Sequence, residues 1–490
     1  MFESSHPFAF FDYFRVPYQV TPGVAGSPAP VGRLTLAAES GTAGRGLLWV
    51  PAGSAGRRPR GGSRLGRYKL NDFTLVGHVA TGDPSAVLAP FGSGWHPSEP
   101  VVDAGGKTIS AVWRDDNGSV FLPFDPGEVM HYLWSERYTE VGSAALLGLV
   151  RKTMVRGYYM VRPLLPRRTQ LAMRRALARR QGLPTFPRWP LESSLHDLYD
   201  WLFETVTVVA GRPVPWLDVW PDGKSWAFVL THDVETHVGY DDMGLLRDGE
   251  RLHGYRSSWN FVPERYDVDE PTLQKLRDAG CEIGVHGLRH DGRDLASLKL
   301  LQQRLPAIRE HADRWGAVGF RSPATQRAWD LMPRLGFDYD SSYTDSDPYE
   351  PQPGGCCTYL PFFNQRMVEL PITLPQDHTA FEILQHTDGA LWTGKARDIR
   401  ARGGMVLVLA HPDYARDERM AGAWAELLDE FADDETVWQA LPREVAAWWR
   451  RREGSSIFPD GGGWTVRGPS ADEGRVRLTT YVPAPAGAGR

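Results

Sequence analysis

Thr231-His232-Asp233-Val234-Glu235 is followed further along the chain by His286-Gly-Leu-Arg-His290. Two imidazoles separated by three residues, with an acidic pair elsewhere, are the groups needed to hold one divalent cation and activate a water on it. The apolar run Trp226-Ala-Phe-Val-Leu230 just before the acids reads as a buried strand. The carboxylates then emerge at its carboxyl end, where α/β folds place their sites. This pattern predicts a hydrolytic metalloenzyme.

Other residues join that set in a definite chain order. Cys281-Glu-Ile-Gly-Val-His286 is a second short apolar strand ending in histidine, and His290 can reach the same ion from the segment that follows. Gly319-Phe-Arg321-Ser-Pro323 puts a guanidinium at another strand end. Met405-Val-Leu-Val-Leu-Ala-His411-Pro412 delivers a third histidine after the most apolar strand of the chain. Taken singly these residues are ambiguous, because an H-x-x-x-H pair also occurs on helix surfaces and an acid after a strand is often a cap or turn former. The case rests on their conjunction at successive strand ends.

The ordered set resembles the polysaccharide deacetylase family, the NodB-homology carbohydrate esterases of the family 4 type, over roughly residues 220 to 450. The resemblance implies that Asp233 is the catalytic base, His286 and His290 are metal ligands, Arg321 orients the base and His411 is the general acid. The family's common first motif has two adjacent aspartates, and here Val234 takes the second place. Glu235 is then the third metal ligand, with Asp233 as the alternative. The implied ion is divalent, with zinc foremost.

The residue types suit amide hydrolysis on their own terms. A metal polarises the carbonyl oxygen and lowers the pKa of bound water toward ~7. A carboxylate beside that water can take its proton, and a histidine opposite can protonate the leaving amine. Arg321 beside the base would keep it ionised, since a nearby cation lowers an acid's pKa.

Further stretches are expected to shape the substrate pocket. Phe337-Asp-Tyr-Asp340-Ser341-Ser342 looks like the family's segment that flanks the substrate groove, which makes Asp340 and Ser341 candidate substrate residues. Glu369 to His378 reads as a short strand broken by prolines, with His378 at a polar end able to reach sugar hydroxyls. Trp392, and with it Trp259 and Phe261, could stack on a pyranose face.

The chain has 490 residues and a formal net charge of −5 at pH 7, with a sequence pI near 6.3 and mean hydropathy −0.37. Nucleic acid is not expected as a partner, because such binders usually carry a strongly basic domain. No stretch reaches the ~20 apolar residues that span a bilayer. Met1-Phe-Glu-Ser-Ser-His-Pro lacks the basic start and apolar core of a secretory signal, so the cytoplasm is the expected compartment. The three cysteines fit that reducing compartment and lack zinc-ribbon spacing.

Four parts are expected in order. Residues 1-130 read as a β-rich or irregular accessory domain, with strands near Thr108 to Trp113 and Ser119 to Leu122, and an exposed loop from Ala52 to Arg67. Residues 131-215 read as a helical, basic linker region. Within 151–180 ten Lys or Arg occur without an Asp or Glu, a block that can brace acidic surface or meet anionic lipid headgroups or an anionic glycan. Residues 216-452 are the expected catalytic domain, with strands near Phe228, Ile283, Val318, Phe337 and Val406 alternating with helices, the last from Val437 to Arg452. Alternation of this kind implies parallel strands, and the resemblance implies a distorted (β/α) barrel. Residues 453-490 read as a small β extension, a hairpin of the runs near Gly463 and Arg475, and a tail.

The function expected is removal of N-acetyl groups from an N-acetylated sugar or polysaccharide. A C–N hydrolase acting on a small non-sugar amide, and a glycan-binding protein on a decayed scaffold, are the alternatives. Nothing in the sequence sets the oligomeric state.

Overall fold

A computed structural model describes residues 8–20, 32–35, 45–49, 62–141 and 167–479. The chain forms two compact units that interleave in sequence. One gathers Leu147–Glu192 and Trp220–Arg450; the other gathers Phe2–Leu146, Ser193–Val219 and Arg451–Arg490. The stretches at the two ends of the chain therefore share one unit.

The first unit is mixed α/β, built on a nine-stranded sheet. Its first strand, Trp226–Val234, is buried along its whole length. Aromatic and β-branched residues dominate it and no charge occurs before Asp233, the pattern of a strand covered on both faces. Ser257–Phe261, Glu282–Val285, Gly319–Phe320, Tyr339–Asp340 and Met367–Glu369 follow it outward in parallel. Met405–Ala410 and Val437–Gln439 also pair with it in parallel, while Phe362–Asn364 closes the far edge antiparallel.

Helices between strands begin where short polar side chains satisfy free backbone N–H groups. Asp269 caps Glu270–Asp278, Ser297 caps Leu298–Trp315 and Asp417 caps Glu418–Phe431. Phe431 meets Trp226 and Phe228, ring centroids 4.9 and 5.8 Å away, where that last helix packs on the sheet.

Ladders among the described residues do not close the expected barrel completely. Strand pairing leaves Phe362–Asn364 and Met405–Ala410 as separate edges. Isolated bonds bridge them: Thr373 and Leu374 donate their N–H groups to the Leu407 carbonyl at 3.0 and 3.2 Å. Prolines at 371 and 375 bracket this segment and remove the donors a continuous ladder would need. Two expectations change. Val437–Gln439 is a strand, and the helix after it begins at Pro442, a favoured first helical position. The strand Ser257–Phe261 and the helix His237–Leu252 were not anticipated, because Ser-Ser-Trp-Asn-Phe carries three polar residues yet is buried throughout.

The second unit holds an eight-stranded sheet that includes Ser63–Leu70, Phe73–Ala80, His96–Asp103 and Thr108–Arg114. The helices Pro126–Trp134 and Ser194–Ala210 belong to it. Phe10, Phe14, Tyr199, Phe203 and Trp216 form an aromatic cluster there. The expected loop from Ala52 to Arg67 is corrected at Ser63–Arg67, which is strand, while 52–61 lies outside the described residues. The expected terminal hairpin is also revised. Gly463–Arg467 pairs with Ser456–Asp460, whereas Val476–Thr479 pairs with Val214–Leu217. Cys281, Cys356 and Cys357 are buried free thiols.

One pair of buried acids in the first unit has a consequence for stability. Asp340 and Glu369 are cross-strand partners, both buried. Burial pushes Asp340 up to about 6, and burial together with the facing Asp340 charge pushes Glu369 well above the usual glutamate range. The folded state therefore binds a proton that the unfolded chain releases at lower pH. The resulting stabilisation is complete below the unfolded values and is lost as pH rises through about 6 and beyond. Thermal unfolding followed by circular dichroism should show the melting temperature falling over that range. Glu369→Gln, whose amide supplies the donor without titrating, should flatten the fall.

Candidate metal centre and surrounding acids

Parallel strands in register bring their carboxyl ends to one rim. Asp233 lies level with Asn260, Val285 with Phe320, Phe320 with Asp340, and His232 with Ala410. The next residues, His286, Arg321, Ser341 and His411, therefore leave the sheet side by side.

Asp233 is buried. Its Oδ1 accepts from Asn260 Nδ2 at 2.9 Å and from Arg321 Nη1 at 3.3 Å. Its Oδ2 stands 3.6 Å from His286 Nδ1. Burial acts to raise the carboxyl, yet the surrounding cationic groups leave it below the usual aspartate value. His286 is itself pushed down to about 4 by burial, so near pH 7 the cations acting on Asp233 are Arg321 and His411.

Arg321 is held through its whole guanidinium. Nε donates to the Ser341 carbonyl at 2.6 Å, Nη2 to Ser341 Oγ at 2.7 Å and Nη1 to Thr231 Oγ1 at 2.8 Å. Its own carbonyl lies 3.1 Å from His286 Nδ1. A carbonyl only accepts, so Nδ1 carries the hydrogen and the lone pair of His286 sits on Nε2.

His286 Nε2 is buried without a hydrogen-bond partner, and so is His290 Nε2. His290 Nε2 lies 2.8 Å from Glu235 Oε1 but is not aligned with it as a hydrogen bond. Donor atoms of Glu235, His286 and His290 all fall within 4.8 Å of one another. Burial acts to raise the Glu235 carboxyl, and the facing His290 holds it well below the usual glutamate range. An imidazole nitrogen from each histidine and an ionised carboxylate oxygen converging on one point fit a small divalent cation. The donor set suits zinc.

A strained turn brings the second histidine round. His290 adopts a left-handed backbone, φ 54°. Gly287 does so at φ 63°, and a Cβ there would sit 2.6 Å from Pro323 Cδ and from Asp294 Oδ2. Asp294 accepts from Leu288 N at 3.1 Å and meets Arg304 at 2.7 Å, which anchors the turn.

His411 closes the other side. Its Nε2 is 3.6 Å from Glu235 Oε1. Its Nδ1 is 2.6 Å from Asp377 Oδ1, and its backbone N donates to Asp377 Oδ2 at 2.6 Å. Burial acts against the charged imidazole, but Asp377 outweighs it and pushes His411 up to about 10. Asp413 accepts from Glu235 N at 3.0 Å and bonds Thr236 Oγ1. Gly239 makes room for it, since a Cβ there would lie 2.1 Å from Asp413 Oδ2.

The structure thus brings together Asp233, Glu235, His286, His290, Arg321 and His411. The other expected substrate residues are placed differently. Asp340, Ser341 and Trp392 are buried inside the fold. Asp340 is turned toward Glu369 and Ser342, Ser341 toward Arg321, and Trp392 donates Nε1–H to the Pro375 carbonyl at 2.7 Å. Trp259 and Phe261 are likewise buried. His378 is partly exposed, its ring 5.6 Å from that of Tyr414, which in turn lies 5.6 Å from His411.

Sequence reasoning missed Asn260, Asp377 and Asp413. An asparagine in a buried five-residue strand was a signal for the first. The second immediately precedes His378, and the third follows His411 by two residues.

Asn260 supplies a test of this geometry. A Cβ on Gly284 would lie 2.0 Å from Asn260 Oδ1, with the side chain already confined between strands. Gly284→Ala is expected to lower stability by about 1–3 kcal/mol in chemical denaturation, the usual cost of overpacking.

No family model matches the chain, and no curated protein matches it. Solved structures do. A Mycobacterium smegmatis protein assigned as a polysaccharide deacetylase aligns at TM-score 0.40 and 20% identity, over 50% of this chain and 96% of its own. PuuE allantoinase aligns at 0.38 and 18%, over 47% and 92%. The peptidoglycan deacetylase PdaC from Bacillus subtilis aligns at 0.32 and 14%, over 47% and 94%. Likeness of this degree adds no weight to either the fold or the chemistry, which stand on strand order and side-chain distances.

Proposed function

We propose that the protein is a metal-dependent hydrolase that removes the N-acetyl group from an N-acetylated sugar or its polymer. The observation that carries the reading is the convergence of Glu235, His286 and His290, with Nε2 of both histidines buried and without a hydrogen-bond partner. These three side chains would hold the ion. When bound, the ion supplies carbonyl polarisation and a more acidic water.

The chain's own residues do the rest. Asp233 takes the proton of the attacking water on Oδ2, because Oδ1 is occupied by Asn260 and Arg321. Arg321 keeps that carboxylate ionised in a buried setting and fixes its direction. His411 gives a proton to the departing amine from Nε2, since Asp377 holds Nδ1. With the ring protonated at neutral pH, that proton is in place before the bond breaks. Amide cleavage follows from these side chains, and the acetylated sugar follows from the motif resemblance.

Equilibrium dialysis against zinc is expected to give near-stoichiometric binding to the parent chain. His286→Ala and His290→Ala should reduce it to background, and His378→Ala should leave it unchanged. Retention of zinc by both ligand variants would overturn the assignment.

Acetate release from an N-acetylglucosamine oligomer is the activity to measure. Asp233→Asn should abolish it. Asp377→Asn should lower kcat by about 10²-fold with zinc content unchanged, the size expected when a general acid loses its orienting partner. Acetate release undiminished by Asp233→Asn would sink the mechanism.

A further inference from the structure

The helix Arg167–Arg180 has two unlike faces. Its inner face is pinned by long polar side chains. Arg174 Nη2 donates to the Tyr349 carbonyl at 3.3 Å, Arg175 Nε to the Glu382 carbonyl at 2.7 Å, and Arg179 Nη2 to Gln385 Oε1 at 2.9 Å. Just past the helix end, Gln181 Nε2 donates to the Pro348 carbonyl at 3.0 Å.

The opposite face is apolar and bare. Met173 is 49% exposed, Leu177 61% and, just beyond the helix, Leu183 57%. Residues 173 and 177 are one turn apart and share a face, with exposed Ala172 and Ala176 beside them. Each of these large apolar side chains would gain free energy by leaving water. Such a stripe marks a surface that something else covers.

Charge names the partner. Between Glu140 and Glu192 the sequence has eleven Lys or Arg and no Asp or Glu, in a chain whose net charge is −5. Among the contacts of Arg174, Arg175 and Arg179, one is to a carboxylate, that of Glu382. Arg174 and Arg179 therefore meet no carboxylate among the described residues, and Arg180 is exposed beside the apolar stripe. A soluble polyanion would satisfy the arginines and leave Met173, Leu177 and Leu183 in water. An anionic bilayer satisfies both, taking apolar side chains at the headgroup boundary while its negative surface attracts each nearby cation. Among the described residues no helix is long and apolar enough to cross a membrane, so contact of this helix is with the surface.

We propose that the exposed face of Arg167–Arg180, continued by Leu183, docks the protein onto membranes rich in anionic phospholipid. The proposal stands apart from the hydrolase reading, because none of its residues belongs to the metal centre.

The test is co-sedimentation of the full chain with vesicles. Binding is expected to equimolar phosphatidylcholine and phosphatidylglycerol, not to phosphatidylcholine alone, and it should weaken at high salt. Leu177→Asp should cut binding about tenfold or more, in line with the loss of one buried leucine and the gain of a like charge to the lipid. Arg180→Glu should cut it too. Circular dichroism melts check that each variant folds, and Leu183→Ser replaces any that does not. Absence of binding to the anionic vesicles overturns the proposal, as does equal binding to neutral ones. Binding that survives both Leu177→Asp and Leu183→Ser, and that dextran sulfate competes away, would identify a polyanion site instead.

Discussion

A guanidinium buried among strand ends is stable only if its nitrogens are hydrogen-bonded and a negative charge lies close, and Arg321 meets both conditions. Its donors reach Thr231, Asp233 and Ser341, and its carbonyl receives the Nδ1–H of His286. One residue thereby aims the carboxylate and sets the histidine tautomer. A lysine could not, since a point charge on a flexible stem lacks the planar fork that engages three groups at once.

Arg321 can do this because of register. A parallel sheet lines up residues of strands that are distant in sequence, and here His286, Arg321 and Ser341 each follow residues that are level across neighbouring strands. Asp233 and His411 stand in the same relation on the other side. A slip of one residue would turn each side chain to the opposite face of the sheet. The buried apolar stretches of Trp226–Val234 and Met405–Ala410 thus do more than fill the core. Their burial locks the register that the site requires.

A second group of acids works from the loops. Asp377 grips both the backbone and the ring of His411, and Asp413 ties the Glu235 backbone to the start of the next helix. Opposite protonation preferences follow within a small space: His286 is held neutral by burial, while His411 is held charged by Asp377. Groups whose environments push them apart in this way are suited to different tasks, one to donate a lone pair and the other a proton.

The strands of the first unit that lead to Asp233, His286 and His411 were legible because each is mainly apolar, and such runs carry their own signal. Trp392 shows where that reasoning stops, since an aromatic residue suits a sugar face and a core equally well and burial alone separates them. Asn260 lay in a strand too polar to recognise, and Asp340 pointed away from the site because its strand is covered on both sides. By itself the sequence determined that Asp233, His286, Arg321 and His411 would stand at strand ends, since that depends on residue type and local pattern. Only the tertiary structure decided that Glu235 shares its point with His286 and His290, and that Asp377 and Asn260 stand behind His411 and Asp233. Those are distances between residues far apart in the chain, set by how strands align and loops return, and local preference does not encode them.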